Sequence, residues 1–105
     1  MKTKNWRSPK HLEWLREQRC LCCNRCPRSE AAHIRIGTDG GMGLKPSDYW
    51  ATPLCSECHG YQHLAGERTF WTIEGLDPHK EALRLVRLGP DGASAIEHWE
   101  GRGHG

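Results

Sequence analysis

Two cysteine pairs with one spacing, Cys20-x2-Cys23 and Cys55-x2-Cys58, constrain this chain more than any other feature. Two intervening residues let both sulfurs of a pair turn toward one point, so each pair clamps one edge of a tetrahedron. Two such pairs complete an all-thiolate zinc site that is closed to water and therefore structural. The stretch between Cys23 and Cys55 is longer than the usual zinc-finger window, and a glycine-rich segment at 37–48 accounts for the excess. A second register, Cys23-x2-Cys26, would leave Cys20 and Cys22 spare. Cys20 directly follows a predicted helix, which favours Cys20 with Cys23 and leaves Cys22 and Cys26 as free thiols.

The chain has 105 residues, of which 36% are hydrophobic, enough for one domain with a thin core. Chains of this kind commonly need a metal or disulfide staple. The polar start, Met1-Lys2-Thr3-Lys4-Asn5, has no apolar run behind it, so no secretory signal is expected. Nothing approaches the roughly 18 apolar residues of a membrane span. A reducing cytoplasm, phage or bacterial, is the expected compartment, and there the thiols stay available for metal. The formal charge of +2 is too small to imply nucleic acid by itself, so any such face must come from local clusters of Arg and Lys.

Residues 1–8 read as a flexible basic arm. Ser8-Pro9 is a cap-plus-proline helix start, predicting a helix over 9–18 with Leu12 and Leu15 on its apolar stripe. After the cysteine-rich knuckle at 20–30, Ala31 to Ile36 reads as a strand. Four glycines and a proline make 37–48 a loop. Tyr49 to Leu54 reads as a second strand. A helix is expected from Ser56 through His63, interrupted at Gly66 and resumed from Glu67 to Glu74. Asp77-Pro78 starts another helix, which Gly89 ends. The pattern gives one domain over 9–89 and a disordered tail over 90–105, where five glycines fall between Gly89 and Gly105. The order is α+β: knuckle, strand, long loop, strand, helix.

His59 and His63 stand at i and i+4, which on a helix places both imidazoles on one face. That helix starts at the second knuckle, so its histidines point to a separate metal site. His33 lies in the first strand, and a hairpin would carry it over the same helix face. An imidazole, ordinarily titrating near 6.5, is suited to act as general base on water beside a divalent cation.

Ala32-His33-Ile34, Gly40-Gly41, Asp48, Pro53-Leu54-Cys55-Ser56-Glu57-Cys58-His59 and His63 together resemble the HNH endonucleases over residues 20–65. The closer likeness is to small phage and prophage members related to the phage recombination-enhancement nuclease. The resemblance implies a small ββα-metal, treble-clef-like core with flanking helices around the zinc knuckle. It places the general base on His33, an orienting carboxylate or metal ligand on Asp48, and catalytic-metal ligands on His59 and His63. Ala32 stands where many members carry a metal ligand. Either His33 is therefore itself a ligand, or the metal rests on His59 and His63 only, with or without Asp48. The metal would be Mg²⁺, Mn²⁺, Ni²⁺ or Zn²⁺, with histidine favouring transition metals. A phage recombination or packaging protein is a further partner the likeness admits.

Arg35, Lys45, Arg68, Lys80 and Arg84 lie in or near these elements and can meet DNA phosphates. Trp50 and Trp71 read as core residues. No element resembles a base-reading helix, so weak sequence specificity is expected. The leading reading is a metal-dependent DNA endonuclease. Its rival is a non-catalytic zinc-stabilised module binding nucleic acid or protein, which would need none of His33, His59 and His63. A redox or zinc-storage role for the six thiols leaves the histidines unexplained.

Overall fold

A computed structural model describes residues 4–24 and 28–101. The elements run α1 (Pro9–Arg16), β1 (Glu30–His33), β2 (Ala51–Leu54), α2 (Ser56–Ala65), α3 (Glu67–Glu74), α4 (Pro78–Leu88) and α5 (Gly92–Gly101). The chain is thus α+β, with one two-stranded sheet and five helices among the described residues.

Local chemistry sets the helix starts. The Ser8 hydroxyl accepts from the His11 N–H at 3.0 Å, and the Asp77 carboxylate accepts from the His79 and Lys80 N–H groups. Pro9 and Pro78 occupy the first turns, where their missing N–H costs nothing. Gly75 stops α3 in a left-handed conformation, with φ 72°. Helix α1 ends two residues earlier than the sequence predicts, in a tight turn where Glu17 and Gln18 bond to the Trp14 and Leu15 carbonyls.

The strands pair antiparallel, with Ala32 opposite Thr52 and His33 opposite Ala51. Both are shorter than predicted. After the Ile34 N–H bonds the Trp50 carbonyl, the next two backbone donors, Arg35 and Ile36, turn to the Glu67 carboxylate at 3.0–3.1 Å. A side chain thus takes the donors that a longer ladder would have used. Alternation divides the buried residues between two faces. Ala51 packs with Leu12, Leu15 and Leu85, while Ala32 and Leu54 pack with Cys20, Phe70 and Trp71.

Two expectations about the chain ends are corrected. Lys4 to Ser8 is not a loose arm. Trp6 is buried against Tyr49, Trp50 and Val86, and its N–H bonds the Ser47 hydroxyl at 2.8 Å. Met1 to Thr3 lie outside the described residues. Residues 92–101 are not a disordered tail but α5. Ala95 is fully buried in the same cluster, with Ile96 and Trp99 packed against it. His98 accepts from the Tyr49 hydroxyl at 2.9 Å and donates to the Lys4 carbonyl at 2.6 Å. Tertiary burial overrides the poor helix propensity of the glycines. Residues 102–105 lie outside the description. Among the described residues, no helix is long and apolar enough to cross a membrane.

The loop 37–48 has its own anchors. The Asp39 carboxylate accepts from the Ser47 N–H at 2.8 Å, and the Asn5 amide donates to the Asp39 and Lys45 carbonyls. At Gly40 a Cβ would come within 2.6 Å of Pro46, so the turn closes only on glycine. This ordering delivers Asp48 to the sheet.

Helix α5 packs so closely on α4 that a Cβ at Gly92 would meet the Val86 carbonyl oxygen at 2.6 Å, whereas Gly101 has nothing within 4 Å. Gly92→Ala should therefore destabilise by about 1–3 kcal/mol, the scale of core overpacking. Gly101→Ala should be near neutral, and thermal melts of the two variants would check the contrast.

Candidate metal centre and histidine cleft

Cys20, Cys23, Cys55 and Cys58 place their sulfurs within 4.8 Å of one another, and Cys23 and Cys55 approach to 3.6 Å. A tetrahedral zinc with Zn–S bonds of about 2.3 Å needs sulfurs about 3.8 Å apart, so the set is close to zinc-ready. Backbone geometry explains the convergence. The Leu21 N–H bonds the Pro53 carbonyl at 3.0 Å, holding the first knuckle to the end of β2. Asn24 takes a left-handed φ of 59° as the chain turns out of that knuckle. Cys55 caps α2, its sulfur accepting from the Cys58 N–H at 3.5 Å.

The thiols are driven apart in acidity. At Cys20 burial pushes upward, but backbone N–H donors from Cys23, Cys55 and Cys22 outweigh it and bring the thiol to about 7. Burial pushes the Cys58 thiol up, with the neighbouring sulfurs acting in the same direction. A cation removes this conflict by holding all four as thiolates. Soft donors, four in number and tetrahedrally spaced, fit a structural metal such as zinc. Cys22 stands outside the set. Burial and the Glu74 carboxylate push its thiol up to about 12. Cys26, the alternative ligand and the other expected free thiol, lies outside the described residues.

On the other side of α2's start is a cleft of about 220 Å³ lined by His33, Arg35, His59, Gln62, His63 and Glu67. His33 closes β1 and donates through Nε2 to Asp48 Oδ1 at 2.9 Å. With Asp48 ionised, Nε2 carries the proton, and in the neutral form of the ring Nδ1 keeps the lone pair. Burial pushes the Asp48 carboxyl up. The bonds from His33 and the Ser8 N–H (2.8 Å), with the His33 and Arg7 charges, outweigh that and hold it below the usual range. The rings of His59 and His63 lie 4.8 Å apart at 35°. His59 Nδ1 meets Glu30 Oε1 at 2.7 Å, which leaves Nε2 as its free donor atom.

The sequence-predicted residues are therefore only partly gathered. His33 and Asp48 are bonded, and His59, His63 and Arg35 share their cleft. Lys45 sits exposed on the long loop and is absent from the cleft lining. Arg68 lines a neighbouring pocket, while Lys80 and Arg84 lie on α4 with Arg84 paired to Glu81. Among the described residues, only the four cysteines bring three or more metal-ligating atoms together, so the three imidazoles do not form a closed cluster. Sequence reasoning missed Glu30, Arg7 and Gln62. Glu30 and Arg7 act across separations of 29 and 41 residues and leave no local signal. Gln62, one position before His63 on an otherwise polar helix, is buried with its amide nitrogen unpartnered among the described residues.

These features define a small α+β protein with a four-cysteine cluster able to hold a structural metal. The chain belongs to the family described as protein of unknown function DUF968, whose sequence model matches residues 1–74. It is also 34% identical, over 95 residues, to the uncharacterized protein YdfU of Escherichia coli (strain K12). That alignment covers 90% of this chain and 25% of the relative, so the chain spans about a quarter of that protein's length. No solved structure gives a significant match. The resemblance to HNH endonucleases, and to their phage members, is corrected by this assignment. Neither the matching family nor the relative carries that description.

Metal analysis of the purified protein should find one tightly held zinc per chain. Cys55→Ser should lose both zinc and fold, because structural zinc contributes on the order of 10–16 kcal/mol. Cys22→Ser should retain the metal. A zinc-free protein that keeps its circular dichroism would refute the assignment.

Proposed function

We propose that this protein is a metal-dependent nuclease that hydrolyses phosphodiester bonds in DNA with little sequence preference. The observation that carries the reading is the buried Asp48 carboxylate bonded to His33 at the edge of a cleft that also holds His59, His63 and Arg35. On this reading β1, β2 and α2 act as a ββα-metal core, and the cysteine site fixes the start of α2.

The roles follow from the donors. His33, its Nε2–H held by Asp48, takes a proton from water through Nδ1. Asp48 is a positioning residue: it sets the tautomer and stabilises the imidazolium that forms. Arg35 meets a phosphate oxygen and neutralises part of its charge. His59 through Nε2, with His63, would hold a divalent ion, Mg²⁺, Mn²⁺, Ni²⁺ or Zn²⁺. That ion would supply charge stabilisation at the phosphate and at the leaving 3′ oxygen. Glu30, bonded to Nδ1 at 2.7 Å, orients His59 as a ligand.

A second reading, a non-catalytic zinc-stabilised module that binds nucleic acid or protein, is favoured by one observation. His33, His59 and His63 line one cleft without bringing their ligand atoms into a cluster. Plasmid cleavage with added Mg²⁺ or Mn²⁺ decides between them. The nuclease reading expects nicking or linearisation by the wild type, lost by at least about 100-fold in His33→Ala, the lower end for general-base removal. No cleavage with any divalent ion would leave the binding module.

Glu30→Gln should keep the fold and weaken binding of the catalytic ion by about 10- to 100-fold, the usual effect of losing a carboxylate behind a ligating histidine. Titration of cleavage rate against Mn²⁺ reads this directly. An unchanged metal dependence would remove Glu30 from the site.

A further inference from the structure

The segment that continues β1 divides two cavities. Side chains alternate along it. His33 and Arg35 line the histidine cleft, while Ile34 and Ile36 line a second pocket of about 230 Å³. Glu67 borders both, its carboxylate held by the Arg35 and Ile36 N–H groups. The second pocket has apolar walls from Ile34, Ile36, Trp71, Leu76 and Pro78, and its polar groups include Arg68 and Asp77. Trp71 also buries an indole N–H that has no acceptor among the described residues. Ile36 is an apolar lip, 38% exposed, beside an otherwise polar cleft.

Size and charge narrow the occupant. Pockets for drug-sized ligands run about 300–1,000 Å³, so this smaller one suits a single planar ring system. The carboxylates of Glu67 and Asp77 oppose an anion. The mix of apolar walls with the Arg68 guanidinium, the His79 imidazole and the carboxylates of Glu67 and Asp77 suits a neutral heterocycle that both donates and accepts hydrogen bonds.

We infer that this pocket takes one unstacked nucleobase of a single-stranded nucleic acid whose neighbouring phosphate lies in the histidine cleft. The inference rests on the nuclease reading of that cleft. Extracting a base from a duplex costs unpairing and unstacking, so the pocket selects single-stranded or locally opened substrate.

The test is binding of a fluorescein-labelled oligonucleotide without added divalent ion, so that cleavage is not required. A set of strands carries one abasic position moved stepwise along the chain, and a matched duplex completes the set. Wild type should lose about tenfold in affinity at one abasic position, the scale of one lost base–aromatic contact, and should bind the duplex as weakly. Thr72→Trp, at an exposed position lining the pocket, fills it. This variant should bind the intact strand about tenfold more weakly and show no abasic penalty. Ile36→Asn should give the same pattern by removing a wall instead of filling the space, which guards against a misfolded variant. Equal binding of intact and abasic strands at every position by wild type overturns the inference. So does an abasic penalty that survives in both variants.

Failure of the two readings is separable. Divalent-dependent plasmid cleavage that His33→Ala abolishes, with no abasic penalty, overturns the pocket and leaves the nuclease standing. An abasic penalty without cleavage supports the pocket and overturns the nuclease.

Discussion

Four sulfurs held within 4.8 Å of one another are the constraint on which the other features depend. Thiolates at that separation repel, and protonated thiols make only weak hydrogen bonds, so the arrangement calls for a cation. By joining residues 20–23 to residues 55–58, the site ties the end of α1 to the start of α2 across β2. The backbone repeats the tie through the Leu21–Pro53 bond. The long stretch between the knuckles adds little cost, because loop-closure entropy grows slowly with length. The core beside the site is small: Cys20, Ala32, Leu54, Phe70 and Trp71 are its buried members. A cluster of that size does not by itself fix the direction of a ten-residue helix. A metal held by the four cysteines at its N-terminus would do so.

A second tie is electrostatic. The Asp48 carboxylate accepts from the Ser8 N–H and bonds His33, with the Arg7 guanidinium at 3.4 Å. Three segments distant in sequence thus meet on one buried charge: the chain entering α1, the long loop and the end of β1. Burial alone would make such a carboxylate costly. Its partners reverse the balance and hold it ionised. The residue that positions His33 is therefore also a fold-determining residue. The orderly packing of Lys4 to Ser8 has the same origin, since Trp6 accepts the Asp48 N–H at its carbonyl while its side chain enters the core.

What the sequence disclosed was local chemistry. Ser8-Pro9, Asp77-Pro78, Gly66 and the cysteine spacing each act within a few residues, so the starts of α1 and α4, the bounds of α3 and the four-sulfur set were legible. What it concealed was remote partnership. The strands end early because Glu67, on α3, takes two backbone donors. Helix α5 forms despite its glycines because Trp6, Tyr49 and Val86 present a surface for Ala95. Glu30 and Arg7 were invisible for the same reason. The family was also misread. A zinc knuckle that opens a helix bearing histidines one turn apart is a short geometric device, and such a device carries geometry without carrying lineage.

The two carboxylates that hold imidazoles of the cleft differ in a way that bears on their roles. Asp48 is 3% exposed and held by three donors, whereas Glu30 is 53% exposed and meets only His59 among the bonds of the described residues. A buried, multiply bonded pair keeps one geometry, because every alternative leaves a charge without partners. The Glu30 carboxylate is more open to water, so it is screened more and retains more rotamer freedom than Asp48. On the nuclease reading this asymmetry is functional. A general base must hold its lone pair along one line to the attacking water, which the Asp48 pair provides. Ligands that gather around an ion only when it arrives must turn by a rotamer to do so, which the exposed face of α2 permits. The contrast lies in the carboxylates rather than the rings: Asp48 is buried and multiply bonded, while Glu30 is exposed and holds His59 by one bond, so on this reading the base is the more rigidly placed of the two.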